Sequence, residues 1–314
     1  MIFSIRVQRV NPYLTALRPR QWTKNLIVFA APLFAFSINI QSFLGSLLAF
    51  CLFCGVSSSF YLFNDLTDVE ADRCHPVKCK RPIASGLVSI PVAVGMAFTL
   101  SGSALLFGWL RSPSLGALIL SYALLQVAYN LKLKRTVILD VMAIATGFVV
   151  RAASGAVATG LFLSPWFILC TAMLALFLGV EKRKAELRNS QIRGGKTRSV
   201  LRQYSMPLLT RIESTVTTGA VMSYALWSSG PAVQGASTPW MLLTLPFVLY
   251  GIFRYQLLSD PQDMSRSNTG IEQGGHTERP EEVLLKDLPI LVTVVSWLLT
   301  IFGILWLKNQ GLIS

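Results

Sequence analysis

The sequence predicts an all-α polytopic membrane protein, with nine transmembrane helices around a central cavity that opens to the cytoplasmic side. Three observations predict it. Of 314 residues, 53% are hydrophobic and only 14% charged, with a mean hydropathy of +0.54. Apolar segments of roughly 17–22 residues recur along the chain, each long enough to cross a ~30 Å hydrocarbon core. The segments between them alternate between basic and nearly uncharged. One domain over residues 1–314 is expected, without a cleavable leader, because Met1 to Lys24 is basic and mixed.

The spans are read at 25–41, 43–62, 90–110, 113–129, 138–159, 163–181, 208–228, 239–257 and 288–307. One set of connections carries 25 of the 28 Lys and Arg, counting Arg211 just beyond it, and all fifteen acids lie on or close to the same set. The other set holds only Arg111 and Lys308, and Arg151 lies within a span. By the positive-inside rule the N-terminus is cytoplasmic and the C-terminus outside. An odd number of spans gives the same answer. The net charge of +13, gathered on that side, points to anionic lipid headgroups and phosphate-bearing metabolites, not nucleic acid. Cys51, Cys54, Cys74, Cys79 and Cys170 form no disulfide framework or tetrahedral zinc spacing.

At the end of the second span stands Tyr61-Leu-Phe-Asn64-Asp65-Leu-Thr-Asp68-Val-Glu-Ala-Asp72. If the helix continues, Asn64, Asp65, Asp68 and Asp72 fall at i, i+1, i+4 and i+8, with Tyr61 one turn earlier. One face then presents three carboxylates and an amide oxygen. Such a cluster is stable when a cation sits within it, and oxygen ligands without His or Cys suit Mg²⁺ or Mn²⁺ shared with a diphosphate. Pro76 and Pro82 stiffen the loop that follows, and Lys78, Lys80 and Arg81 place bases directly behind the acids. Metal-binding carboxylates backed by phosphate-binding bases suit a diphosphate held through a divalent cation.

Further candidates flank this stretch. Lys24 precedes the first span beside Trp22, an interfacial anchor whose neighbouring base could hold a phosphate. Lys134 leads into the fifth span, where Asp140 and Arg151 lie about three turns apart, and ionisable groups inside a span mark functional sites or a structural network. Lys182, Arg183 and Glu186 open the third basic loop, where Gly194-Gly195 suggests flexibility.

The Asn-Asp-x-x-Asp-x-x-x-Asp motif after the second span resembles the UbiA-type intramembrane prenyltransferase superfamily, in which two Asp-rich helices bind a prenyl diphosphate through Mg²⁺. Here the second Asp-rich motif is replaced by Glu181-Lys-Arg-Lys-Ala-Glu186. That variant is similar to the polyprenyl-phosphate (decaprenyl-phosphate) phosphoribosyltransferase branch. The matching pieces include Arg18-Pro19-x-Gln21-Trp22-x-Lys24-Asn25, Arg81-Pro82-Ile-Ala-x-Gly86, Gly147-Phe-Val-Val-Arg151-Ala, Lys182-Arg183-x-Ala185-Glu186-Leu187 and Phe253-Arg254-Tyr255 with Pro280-Glu281.

The resemblance implies transfer of 5-phosphoribose from 5-phosphoribosyl 1-diphosphate to a polyprenyl phosphate, releasing diphosphate, with Mg²⁺ as cofactor, on the way to an arabinose donor for surface glycans. The alternatives are a Mg²⁺-dependent prenyl transfer onto an aromatic ring, or an anion transporter. On the phosphoribosyl reading, Asn64 and Asp68 ligate the metal, and Asp65 and Asp72 are further ligands or support them. Lys24, Tyr61, Lys78, Lys134 and Arg151 contact the donor, while Lys182 and Arg183 receive the acceptor phosphate. Asp140 lines the same site. His75 reads as a turn residue and His276 as part of a polar loop. The lipid bilayer is the other implied partner, and a homo-oligomer is compatible with the sequence.

Overall fold

The computed structural model describes residues 11–37, 39–193, 199–259, 283 and 286–313. The expectations placed on Gly194-Gly195, His276 and Pro280-Glu281 lie outside these residues. Among the described residues every regular element is helical: α1 (Pro12–Ala16), α2 (Ala30–Phe34), α3 (Ile40–Thr67), α4 (Val69–Arg73), α5 (Ile90–Arg111), α6 (Pro113–Leu131), α7 (Leu139–Thr159), α8 (Pro165–Arg193), α9 (Met206–Ser228), α10 (Leu245–Ser259) and α11 (Leu288–Asn309), with short 3₁₀ segments between several of them.

Seven helical segments of the described residues are long and apolar enough to cross a membrane: α3, α5, α6, α7, residues Pro165–Ser190 of α8, Pro239–Ser259 including α10, and α11. The other two expected spans are also helical but differ in kind. Residues 25–41 begin in the 3₁₀ segment Pro19–Phe29 and continue into the five-residue α2. The span at 208–228 coincides with α9, which carries Arg211 and Glu213 in its first half and is the less apolar for it.

The helix ends follow local chemistry. Asn39 caps α3 by accepting from the Ser42 N–H at 2.8 Å. Ser112 is both the last residue beyond α5 and the cap of α6, accepting from the Leu115 N–H at 3.1 Å with Pro113 at the first helical position, so the two helices reverse through one residue. Asp287 caps α11 in the same way.

Burial separates central helices from peripheral ones. In α3 and α7, 56% of the apolar window is buried, against 17% in α5 and 22% in α6 and α11. The central pair therefore read as protein on most faces, and the others present apolar faces outward, as lipid-facing helices do. Small residues let the backbones close up. A Cβ at Gly155 would lie 1.9 Å from the Val28 carbonyl oxygen, and one at Gly45 2.6 Å from that of Ala158. The 3₁₀ segment, α3 and α7 thus meet at backbone contact. Phe53, Tyr122, Leu115 and Ile119 fill the core around that crossing. A second core gathers Tyr224, Trp227, Met241 and Ile304, with Phe34 edge-on to Phe167, Trp227 and Trp297.

Candidate active site

The acidic stretch does not run on as one straight helix. α3 ends at Thr67, Asp68 stands at the junction (φ −98°, ψ 8°), and α4 restarts at Val69. The break turns Asp72 inward, and Asp65 and Asp72 are both buried. Asp65 accepts from Arg18 Nη2 at 2.6 Å and from Arg81 Nη1 at 2.9 Å. The same Arg81 nitrogen reaches Asp72 Oδ2 at 2.6 Å, and Lys78 Nζ lies 3.8 Å from Asp72 Oδ1. The expectation of three carboxylates open on one face is corrected accordingly. Two of them are neutralised by guanidinium groups: Asp65, still within α3, meets Arg18 and Arg81, while Asp72, beyond the break, meets Arg81, as a buried carboxylate is tolerated only when paired.

Asn64 and Asp68 differ from these two. Both are half-buried, and neither side chain has a hydrogen-bond or ion-pair partner among the described residues. They are one helical turn apart, so their oxygens share a face. Among the described residues no group of three or more His, Cys, Asp or Glu could enclose a metal ion. An amide oxygen and one carboxylate fit Mg²⁺, which keeps waters and substrate phosphates as its remaining ligands.

Arg18 occupies the left-handed region (φ 54°), and its guanidinium lies 5.1 Å from the centre of the Tyr61 ring. Lys24 is half-buried and donates to Gln21 Oε1 at 2.5 Å. Tyr61, Lys78 and Arg81 thus share one cluster with Arg18, Asp65 and Asp72. Lys134 is half-buried in the 3₁₀ turn Leu133–Arg135, and its ammonium has no partner among the described residues.

Arg151, on α7, is a buried cation held by neutral groups. Its Nε donates to Asn25 Oδ1 at 2.7 Å, its Nη2 to the Tyr122 hydroxyl at 2.6 Å, and it stacks on the Tyr122 and Phe148 rings. No carboxylate among the described residues pairs with it, so its charge remains available to an anion inside the bundle.

Asp140 does not pair with Arg151. It is fully buried and accepts from Arg183 Nε at 2.7 Å and from the Tyr204 hydroxyl at 2.7 Å. Arg183 is 1% exposed and also reaches Glu186 at 2.5 Å. Asp140 and Arg183, both expected at the substrate, meet each other inside the protein, since α8 continues as helix through Arg193 and carries Arg183 inward. Lys182 remains half-buried on that helix. Lys184, Glu181 and Glu213 form a second buried ion cluster at the same level, Lys184 bonding to both carboxylates. The acids of the Glu181–Glu186 segment are thereby used within the protein.

Tyr204 escaped the sequence reading. Its hydroxyl accepts from the Ile138 N–H at 2.7 Å while donating to Asp140. Ile138 has φ 70°, a strained conformation for a β-branched residue. Burial, and next the bond to Asp140, hold the Tyr204 phenol well above its ordinary pKa. Arg81 is one of the bases read from the sequence behind the acids, and Arg18 and Asn25 fall within the Arg18–Asn25 motif without an assigned role. Tyr122 carries no local signal in the sequence.

The fold and these clusters define a polytopic helical membrane protein with acidic and basic side chains gathered at the α3–α4 junction. The chain belongs to the UbiA prenyltransferase family, whose model matches residues 26–270. It is 35% identical over 305 residues to the decaprenyl-phosphate phosphoribosyltransferase of Mycolicibacterium smegmatis, covering 93% of this chain and 92% of that one. Identity to the enzyme of the same name from Corynebacterium glutamicum is 36% over 295 residues, or 92% of this chain and 85% of the relative. A UbiA homolog from Archaeoglobus fulgidus, solved bound to GPP and Mg²⁺, superposes with a TM-score of 0.63 at 17% identity, covering 93% of this chain and 98% of that one. That likeness concerns the fold.

Proposed function

We propose that this protein transfers 5-phosphoribose from 5-phosphoribosyl 1-diphosphate to a polyprenyl phosphate. The observation that carries the reading is the one-sided site: a single amide–carboxylate pair, Asn64 and Asp68, set among bases, while the acids of the Glu181–Glu186 segment are buried in ion pairs. The relatives named for this reaction, alike along nearly the whole chain, support it.

In the reaction an acceptor phosphate oxygen forms a bond to C1 of the ribose, and the bond from C1 to the diphosphate breaks. The acceptor is already anionic at neutral pH, so no general base is required. Bound Mg²⁺ would neutralise charge on the departing diphosphate. Asn64 and Asp68 would hold that ion, and Lys24, Lys78 and Lys134 would bind donor phosphates, with Tyr61 beside them. Arg151 supplies buried positive charge deeper in the bundle. Asp65 and Asp72 fix Arg18 and Arg81, and Asp140 fixes Arg183, so these residues position the site without touching the reacting atoms. Lys182, half-buried on α8, would meet the acceptor phosphate.

The finer architecture of the reading is a single domain of nine membrane passes. Its cavity and N-terminus face the cytoplasm, in the plasma membrane of a bacterium. The tail of the acceptor leaves between helices into the bilayer. Purified protein supplied with Mg²⁺, labelled 5-phosphoribosyl 1-diphosphate and a short polyprenyl phosphate tests the reaction. Label entering the lipid with release of diphosphate is the expected result. No label in the lipid, or reaction of a prenyl diphosphate with an aromatic acid instead, overturns it.

A further inference from the structure

Two buried arginines of this protein are held in the same way by different chemistry. Arg183 donates from Nε to the Asp140 carboxylate at 2.7 Å, and Arg151 donates from Nε to the Asn25 amide oxygen at 2.7 Å. The first cation is neutralised by its partner. The second is not, since its other bond goes to the Tyr122 hydroxyl and no carboxylate among the described residues pairs with it. A buried charge without a counter-ion is costly, and an aspartate at position 25 would be nearly isosteric. An amide in this place fixes the guanidinium and leaves its charge uncompensated.

The surroundings aim Asn25 and Arg151 at each other. Asn25 is fully buried in the 3₁₀ segment Pro19–Phe29, and its Nδ2 donates to Cys54 Sγ at 3.2 Å and to Ser57 Oγ at 3.5 Å. The Ser57 hydrogen is already given to the Phe53 carbonyl at 2.6 Å, so Ser57 can only accept from the amide, and Oδ1 is turned toward Arg151. One turn further along each element, Val28 meets Gly155 at backbone contact, which fixes the two segments in register.

The third nitrogen of Arg151, Nη1, has no partner among the described residues and is not sealed from solvent. It stands beside Gly147, one turn before Arg151 on α7, where an added Cβ would lie 3.4 Å from it. Tyr122 is the electrostatic neighbour of both Arg151 and Tyr61, and Tyr61 carries Arg18 against its ring. The buried guanidinium is thus one tyrosine removed from the charged cluster at the α3–α4 junction. We propose that Asn25 is a positioning residue for phosphate binding: it aims Arg151 without neutralising it, and Gly147 keeps the space beside Nη1 in which a phosphate group of the donor docks. The inference rests on the transfer reading only for the identity of that donor.

The test uses the full chain in detergent with Mg²⁺ and measures, by calorimetry, binding of inorganic diphosphate and of ribose 5-phosphate, the two halves of the donor. N25D places a carboxylate on Arg151, and G147A places a methyl group against Nη1. A hydrogen bond to a charged group is worth about tenfold or more in affinity. Each variant should therefore weaken one half by at least about tenfold, the same half in both, with the Tm at or above that of wild type. A purely structural Asn25 predicts no such loss, and N25D would then bind both halves as wild type does. Wild-type affinity for both halves in either variant, or losses on different halves, overturns the proposal. So does a wild-type protein that binds neither half. Should N25D fail to fold, G147A decides alone. Wild type that binds both halves without transferring label sinks the transfer reading and leaves this one standing.

Discussion

Asp140 and Arg183 are 43 residues apart in sequence and 2.7 Å apart in space, both essentially without solvent exposure. Each attracts notice in the sequence as a charged residue at a membrane boundary. Together they neutralise each other and fasten the start of α7 to α8, with Tyr204 completing the junction.

Removing one partner of this buried pair should therefore be costly. Asp140→Asn or Arg183→Met is expected to destabilise the protein by about 3–5 kcal/mol, because the remaining charge is left uncompensated. The double variant D140N/R183M should recover much of the loss. Thermal unfolding in detergent checks both outcomes, and equal additive losses would contradict the pairing.

Tyr204→Phe removes one hydroxyl that serves Ile138 and Asp140 at once. Losing the bond from the Ile138 N–H should cost about 1 kcal/mol. Hydrogen exchange at the first turn of α7 should rise while that of α3 stays unchanged. Unaltered exchange at Ile138 would show that Tyr204 does not restrain this turn.

Asp68→Ala should abolish turnover with the fold intact, since Asp68 is the one carboxylate of the cluster not committed to a base. A loss of at least about 10³-fold is expected if it holds the metal under a developing charge. Near-normal activity across a Mg²⁺ titration would remove Asp68 from the mechanism.

Arg81→Ala acts differently, because Arg81 joins Asp65 to Asp72. Freed of their shared partner, the two carboxylates would repel donor phosphates. The expected outcome is a donor KM raised by about tenfold, equivalent to about 1.4 kcal/mol, with the acceptor KM little changed. An unchanged donor KM would argue against a positioning role.

Asp287 gives a pH prediction at the far end of the chain. Burial raises its carboxyl pKa, but the hydrogen bonds from Arg254 and from the Ile290 N–H outweigh that, and the folded-state pKa falls below the ordinary 3.8. Stability from this cap is present above 3.8 and is lost as pH falls through the lower folded value. The acid limb of a stability–pH profile should be shallower in Asp287→Asn than in the wild type.

Much of the architecture was legible without coordinates. Of the nine apolar runs read as spans, seven form helical segments long and apolar enough to cross a membrane among the described residues, because a lipid solvent leaves little else for such segments to form. The Asn64–Asp72 stretch announced itself by residue type, and Asn64 and Asp68 are its oxygen donors without a side-chain partner among the described residues. Other roles could not be read this way. Whether Asp65 or Asp72 faces a metal depends on the helix break at Asp68 and on where Arg18 and Arg81 arrive from distant segments.

Sequence by itself therefore determined the helical membrane class, the side-to-side charge asymmetry and the chemical character of the candidate site, since these follow from solvent preference and residue chemistry. Tertiary structure alone decided which charges are spent and which stay available. It closed Asp140 on Arg183, gave Arg151 only neutral partners, and brought Tyr204 to Ile138. Ion pairs form between residues that the chain's path brings together, and partner choice among 28 bases and fifteen acids is set by that path.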